Sequence, residues 1–283
     1  MEKFTLGFSP CPNDTFIFDA LVNKRLDSGG AEFQVHLADV EELNRLASRA
    51  VLDITKISIG AIAEFSKDYQ ILDAGSALGS GCGPLLISKT VTGNDPNVIE
   101  SLTVAIPGRR TTANLLLSIA YPGLTNKSEM IFSDIEDSVL SGRTDAGLII
   151  HENRFTYQSK GLKKIVDLGE YWEDRTGMPL PLGCIAIRRS LPEEVKLRIS
   201  DLIRQSIRQA FSEPEVPMPY VSKHSQEMSE DVMKQHIALY VNEFSVSLGE
   251  TGRAAIRLLL DTAFASGVAG KYTEPLFAGI KGI

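Results

Sequence analysis

Short apolar runs alternate with helically spaced apolar positions over the first 72 residues. The runs predict four strands, at residues 4–8, 33–37, 52–59 and 70–72. The segments between them carry apolar residues at three- and four-residue steps and predict helices, at residues 15–23, 39–48 and 60–65. This alternation of strand and helix is typical of a doubly wound α/β sheet.

The same alternation restarts after a glycine-rich segment at residues 75–84. It predicts a second set of strands, at residues 84–89, 102–106, 130–132, 146–150 and 165–168. A strand at 183–187 then leads back, and three amphipathic helices follow, at residues 192–212, 229–243 and 249–266. We therefore expect two α/β domains with a ligand cleft between them. The first is formed by residues 1–82 and 183–283, and the second, inserted, by residues 83–182.

Composition narrows the class of protein. A length of 283 residues suits two α/β domains, and a net charge of −7 gives no support for nucleic-acid binding. No apolar run approaches the ~20 residues of a membrane span, and Pro10 interrupts the first one, so we expect a cytoplasmic protein without a signal peptide. The three cysteines and four histidines show no metal-site or disulfide spacing, and we expect no metal.

Ligands in open α/β sheets bind at the carboxyl ends of the strands. That rule selects four segments, at residues 9–15, 55–58, 107–113 and 151–154. In the first segment, Ser9 and Asn13 could hydrogen-bond a ligand. The alternative is an ordinary βα turn in which Asn13 or Asp14 caps the helix. Cys11 could be a nucleophile, but a small buried residue is the favoured interpretation.

The next two segments carry positive charge and hydroxyl groups. Apolar surroundings rarely tolerate an unpaired lysine, so Lys56 either reaches solvent or meets an anion, and we favour the cleft for Lys56 and Ser58. Thr111 or Thr112 can cap the following helix, whose free N–H groups suit a carboxylate. We interpret Arg109 and Arg110 as surface residues.

His151 is the strongest candidate for chemistry. It ends the apolar strand 146–150, where a histidine can transfer protons near neutral pH, although a structural role is equally open. Glu152 could orient the imidazole or point to solvent. We interpret His36, His224 and His236 as structural.

Several of these segments together resemble a known family. They are SPCPNDTFIFDAL (9–21), TKISIGA (55–61), GSALGSGCGPL (75–85), PGRRTTANLLL (107–117), AGLIIHENRFTY (146–157) and DLGEYWEDRTGMPLPLG (167–183). They resemble the 1,4-dihydroxy-6-naphthoate synthase family of the futalosine route to menaquinone. The resemblance covers most of residues 4–183, and the last third of the chain is less diagnostic.

The resemblance implies a fold of the type II periplasmic-binding-protein kind. It further implies a lyase that converts cyclic dehypoxanthine futalosine, a small carboxylate, to 1,4-dihydroxy-6-naphthoate and dihydroxyacetone without a cofactor. The family's base would be His151, and its ligand contacts would be Lys56, Ile57, Ser58, Thr112 and Ala113. We expect a monomer or homodimer with no nucleic-acid or membrane partner.

Two other functions remain open on the same scaffold. One is the chorismate dehydratase of the same pathway, and the other is a non-catalytic binding protein for a small molecule.

Overall fold

The computed structural model describes residues 2–225 and 229–279. The strands within these residues are β1 (Glu2–Phe8), β2 (Ala31–Leu37), β3 (Ile54–Ser58), β4 (Tyr69–Ile71), β5 (Ala77–Gly79), β6 (Leu85–Ser88), β7 (Val104–Ile106), β8 (Lys127–Glu129), β9 (Ala146–Ile149), β10 (Lys163–Asp167) and β11 (Leu180–Arg188).

The helices are α1 (Pro12–Val22), α2 (Val40–Ser48), α3 (Ile59–Phe65), α4 (Pro96–Glu100), α5 (Thr112–Ala120), α6 (Ile135–Leu140), α7 (Asn153–Thr156), α8 (Leu168–Thr176), α9 (Glu193–Ser212), α10 (Met218–His224), α11 (Glu230–Tyr240), α12 (Glu243–Val246) and α13 (Gly249–Ala265). No helix in this part of the chain combines the length and apolar character needed to cross a bilayer.

The strands form two sheets. The first has the order β2-β1-β3-β11-β4, with β5 also paired to β11, and the second has the order β10-β6-β9-β7-β8. The α/β class is confirmed, but both sheets are mixed. β1 is parallel to β2 and β3, and β7 is parallel to β8 and β9, whereas β11, β6 and β10 run antiparallel to their neighbours. β6 and β11 lie where the chain passes from one sheet to the other and back.

The first helix begins earlier than its apolar pattern predicts. α1 starts at Pro12, with Cys11 in the N-cap position. Proline suits the first helical position because its missing N–H would have no partner there and its φ is already helical. Asn13 and Asp14 therefore lie inside the first turn, and the prediction that one of them caps the helix is wrong.

One other local prediction is also wrong. The chain pairs through Lys127–Glu129 instead of residues 130–132, and Phe132 begins a 3-10 helix that packs into an apolar cluster of the second sheet. The segment around Trp172 forms helix α8. Asp167 caps it by accepting from the N–H groups of Gly169 and Glu170, and the buried indole of Trp172 joins the core.

One apolar core continues from the first sheet to the second. It contains Ile57 and Ile62 from the first sheet and its helices, and Leu116 and Trp172 from the second. α3 and α5 approach closely because Gly60 has no side chain, since a Cβ there would lie 3.1 Å from the Cα of Thr112. This close approach brings the start of α5 beside the end of β3.

Candidate active site

A cavity of about 660 Å³, partly open to solvent, lies between the strand ends of the two sheets. Its concave, mostly apolar lining with a few polar groups is typical of a small-molecule site. Eight of the nine residues predicted for the site line this cavity, namely Ser9, Asn13, Lys56, Ser58, Thr111, Thr112, Ala113 and His151.

Ile57 is the ninth predicted residue, and it does not line the cavity. Its side chain is fully buried in the apolar core. Side chains of a strand alternate between two faces, so the strand that directs Lys56 and Ser58 toward the cavity directs Ile57 away from it.

The carboxylate of Asp14 organises the wall that comes from the first sheet. Oδ1 accepts from Nζ of Lys56 at 2.8 Å and from the amide of Asn13 at 2.8 Å, and Oδ2 accepts from the backbone N–H and hydroxyl of Ser9 at 3.1 and 2.8 Å. Lys56 and Asp14 are both buried, at 7% and 1% side-chain exposure. The anion that pairs with Lys56 is thus part of the protein, and the hydroxyl proton of Ser9 is directed to Asp14.

His236 is a site residue that the sequence interpretation missed. Because the amide nitrogen of Asn13 donates to a carboxylate, its oxygen is the atom that faces Nε2 of His236, at 2.9 Å, and that nitrogen must carry a proton. Burial lowers the pKa of His236 well below its usual value, and the neighbouring His151 and Lys56 lower it further, so the ring is neutral. The signal in the sequence was a histidine on the apolar stripe of α11, beside Met233 and Ile237.

Glu152 lies between His236, in the wall that comes from the first sheet, and His151, in the wall that comes from the second sheet. Its Oε2 is 3.7 Å from Nδ1 of His236, and its side chain is about 10% exposed. Neither of these two atoms has a hydrogen-bond partner within the described part of the chain. The prediction that Glu152 points to solvent is therefore wrong, because its carboxyl group is buried next to both histidines.

His151 follows β9 in a conformation that is uncommon for a residue with a side chain. Its φ is +58°, in the left-handed region, and such positions cluster at functional sites. Its ring meets the ring of Phe132 edge-on, with centroids 4.8 Å apart, and its Nδ1 lies 3.7 Å from Sγ of Cys11. Nε2 is buried and has no hydrogen-bond partner among residues 2–225 and 229–279.

Cys11 is a neutral thiol in this environment. Burial raises its pKa well above the usual value, and the negative charges of Glu152 and Asp14 raise it further. Since the thiolate is the reactive form, Cys11 is a poor nucleophile here. Cys11, His151 and Glu152 offer metal-ligating atoms within 4.8 Å of one another.

The start of α5, together with His151, forms the wall of the cavity that comes from the second sheet. Thr111 caps the helix by accepting from the N–H of Asn114 at 3.2 Å. The hydroxyl of Thr112 accepts from the N–H of Gly60 at 3.0 Å and donates to the carbonyl of Leu182 at 2.5 Å. The N–H groups of Thr112 and Ala113 have no partner inside the helix, which makes them a suitable site for a carboxylate.

Ion pairs between segments of the two sheets lie next to the lining residues Val40 and Thr111 in sequence, and we call this group of charged residues the rim. Arg110 pairs with Glu64 at 3.0 Å, and Arg45 pairs with Glu129 at 2.9 Å. Oε2 of Glu41 accepts from the backbone N–H of Arg110 at 3.3 Å, and burial, with a further contribution from Glu129, raises the pKa of Glu41 to about 7. Arg109 is 71% exposed, so the surface interpretation suits it better than Arg110.

Comparison with known proteins identifies the relatives of this chain. A family model described as menaquinone biosynthesis matches residues 4–265. A 1,4-dihydroxy-6-naphtoate synthase from Streptomyces coelicolor is 44% identical over 272 residues, covering 94% of this chain and 95% of the relative. One from Thermus thermophilus is 44% identical over 277 residues, covering 98% of this chain and all of the relative.

Solved structures show the same fold. Protein AF1704 from Archaeoglobus fulgidus is 35% identical, with a TM-score of 0.88 over 94% of this chain and 98% of that protein. The periplasmic aliphatic sulphonate binding protein SsuA from Escherichia coli is only 11% identical but has a TM-score of 0.66, covering 100% and 96% of the two chains. The expected periplasmic-binding-protein-like fold is therefore confirmed.

Proposed function

The chain belongs to the menaquinone-biosynthesis family, and from this premise we propose that it converts cyclic dehypoxanthine futalosine to 1,4-dihydroxy-6-naphthoate and dihydroxyacetone. Two relatives that carry the synthase name match it over nearly their whole length. The observation that carries the proposal is the buried, unpartnered Nε2 of His151, a residue that lines the cavity between the two sheets.

His151 is the base in this proposal. The reaction breaks a carbon–carbon bond and makes the ring system aromatic, so a proton must be removed while negative charge develops on oxygen. An imidazole nitrogen that is free of hydrogen bonds and beside the ligand can accept that proton. The reaction requires no redox cofactor, because the cleavage and aromatisation are balanced without oxidation.

Hydrogen-bond donors that remain free can stabilise the developing charge. The hydroxyl of Ser58 accepts from the amide of Asn44 at 3.1 Å, so its own proton is available to a ligand. The hydroxyl protons of Ser9 and Thr112 are already donated within the protein, to Asp14 and Leu182. Ser58 is therefore the hydroxyl that we assign to this role.

The carboxylate of the substrate binds, in this proposal, at the start of α5. Lys56 is the alternative partner, but its charge is matched by Asp14 at 2.8 Å. The free N–H groups of Thr112 and Ala113, together with the positive end of the helix dipole, offer an anion site without breaking an existing ion pair.

The cavity would close when its ligand binds. We propose that residues 1–82 with 183–283 form one domain and residues 83–182 the other, and that their closure in the cytoplasm keeps water away from the reacting carbon atoms. The rim ion pairs connect segments of the two units and would favour the closed arrangement.

Offering the purified protein its two candidate substrates separately tests the function. Cyclic dehypoxanthine futalosine should give equal amounts of the naphthoate and dihydroxyacetone by mass spectrometry, while chorismate should be returned unchanged. Dehydration of chorismate would instead identify the chorismate dehydratase. Tight binding of the futalosine compound without any product would identify a binding protein on this scaffold.

A further inference from the structure

Cys11 and His151 come from segments of the two different sheets and are in contact beside the cavity. Cys11 follows β1 and precedes α1, whereas His151 follows β9, and their side chains approach to 3.7 Å between Sγ and Nδ1. The proposed function uses the imidazole but assigns no role to the thiol.

Three features hold the ring of His151. The left-handed backbone at φ +58° sets the direction of the side chain, and Phe132 packs against the ring with centroids 4.8 Å apart. Neither feature distinguishes Nδ1 from Nε2, because neither forms a hydrogen bond. The contact with Cys11 is the one hydrogen bond to the ring among residues 2–225 and 229–279, so it alone can determine which nitrogen carries the proton.

Two arrangements of the protons are compatible with this contact. In one, the thiol donates to Nδ1, and the proton on Nε2 is then a buried donor without an acceptor. In the other, Nδ1–H donates to the sulfur, and Nε2 keeps a free lone pair. The second arrangement costs less, because the stronger donor, the ring N–H, has a partner, and the groups left unpaired are the weak S–H donor and the lone pair of Nε2.

We propose that Cys11 is a positioning residue whose sulfur accepts the Nδ1–H of His151, which fixes that tautomer and leaves Nε2 as the proton acceptor. The thiol stays protonated, since burial and the nearby carboxylates of Glu152 and Asp14 raise its pKa. It therefore acts as a neutral acceptor and takes no part in bond formation. The catalytic consequence rests on the proposed function, but the tautomer itself does not.

The tautomer can be measured without substrate. In protein labelled with 15N-histidine, long-range 1H–15N correlation spectra distinguish protonated from unprotonated ring nitrogens, and the spectrum of His151→Asn identifies the signals of His151. We expect Nδ1 of His151 to carry the proton in the unmodified protein and in Cys11→Ser, whose hydroxyl can also accept. Cys11→Ala should lose this preference. A proton on Nε2 in the unmodified protein would overturn the proposal, whether or not Cys11→Ala and Cys11→Ser fold.

Kinetics give a second readout. Cys11→Ala should lower kcat between about tenfold and about a hundredfold with little change in KM, because a misdirected base loses rate without losing binding. Cys11→Ser should keep most of the rate, and Cys184→Ala, a buried cysteine outside the cavity, should keep all of it. Full activity of Cys11→Ala would also overturn the proposal. If no protein turns over the substrate, the proposed function fails, and the NMR result still decides the role of Cys11.

Discussion

The two walls of the cavity differ in how completely their polar groups are hydrogen-bonded. In the first wall (Ser9, Asn13, Asp14, Lys56 and His236), one carboxylate accepts four hydrogen bonds and a fifth connects Asn13 to His236. In the second wall (Thr112, Ala113 and His151), Nε2 of His151 has no partner within the described residues. The carboxylate and the cation of the first wall are paired without a ligand, and Nδ1 of His236 is the atom of that wall that lacks a partner within the described residues, whereas the second wall leaves the imidazole nitrogen of its candidate base unpaired.

This difference separates the tasks of the two walls. A satisfied buried network rigidifies its surroundings, and breaking it is costly because the remaining groups are left without partners. A free imidazole nitrogen contributes little to folding but can accept a proton. We therefore expect substitutions in the first wall to lower stability and those at His151 to lower turnover.

The largest loss of stability should come from Lys56→Met. It leaves the carboxylate of Asp14 buried without its cation, and removing one partner of a buried pair costs about 3–5 kcal/mol of unfolding free energy. Urea denaturation measures this loss. The double variant Lys56→Met with Asp14→Asn should regain most of it. A loss below about 1 kcal/mol for Lys56→Met is the value expected of an exposed ion pair. It would contradict the claim that the first wall stabilises the fold more than the second.

The rim should make stability depend on pH through Glu41. The pKa of Glu41 rises from 4.5 to about 7 on folding, so the folded protein binds this proton more tightly than the unfolded chain. The contribution is complete below pH 4.5 and is lost as the pH rises through about 7. It amounts to about 3 kcal/mol, since one pKa unit corresponds to about 1.4 kcal/mol.

Urea midpoints between pH 4.5 and 8 test this effect. Glu41→Gln should flatten the fall in stability, because the amide cannot ionise and its oxygen can still accept from the N–H of Arg110. Glu42→Gln, on the same helix and exposed, should leave the fall unchanged. Equal pH profiles for Glu41→Gln and the unmodified protein would contradict the assignment.

Thr112→Val should lower the free energy of unfolding by an intermediate amount. It leaves the N–H of Gly60 and the carbonyl of Leu182 without their partner, and each buried unsatisfied group costs about 1–3 kcal/mol. Thr112→Ser keeps the hydroxyl and should lose much less. If both variants melt at the same temperature, the hydroxyl does not connect the sheets as described.

Arg110→Ala should have the smallest effect on the free energy of unfolding. The guanidinium is about one-third exposed and its partner Glu64 is half exposed, and such pairs contribute about 0–1 kcal/mol. Thermal unfolding at low and high salt measures it, with Arg109→Ala as the matched control. A loss as large as that of Lys56→Met would mean that the rim, and not the first wall, stabilises the cavity.

The sequence was sufficient to predict the fold class and most of the cavity. Strand ends are local features of the apolar pattern, and the rule that ligands bind there found Ser9, Lys56, Thr112 and His151. Ile57 entered through the family resemblance, although alternation along β3 directs its side chain into the core.

The partners of these residues were not predictable from the sequence. Asp14 meets Lys56 across 42 positions, and Asn13 meets His236 across 223, so only the folded chain shows which polar groups pair. The contact between Cys11 and His151 was not predictable either, because the sequence predicts only that Cys11 is a small buried residue. Helix α1 was misplaced because Pro12 looked like part of a loop, whereas it begins the helix.

The central claim is that His151 supplies the base. The most direct test is turnover of cyclic dehypoxanthine futalosine by His151→Asn at saturating substrate. Asparagine tolerates the left-handed backbone at this position, so the variant should fold and bind substrate as the unmodified protein does. Loss of the base should lower kcat by about 10²- to 10⁴-fold. Near-normal turnover by a folded, substrate-saturated His151→Asn would contradict the account.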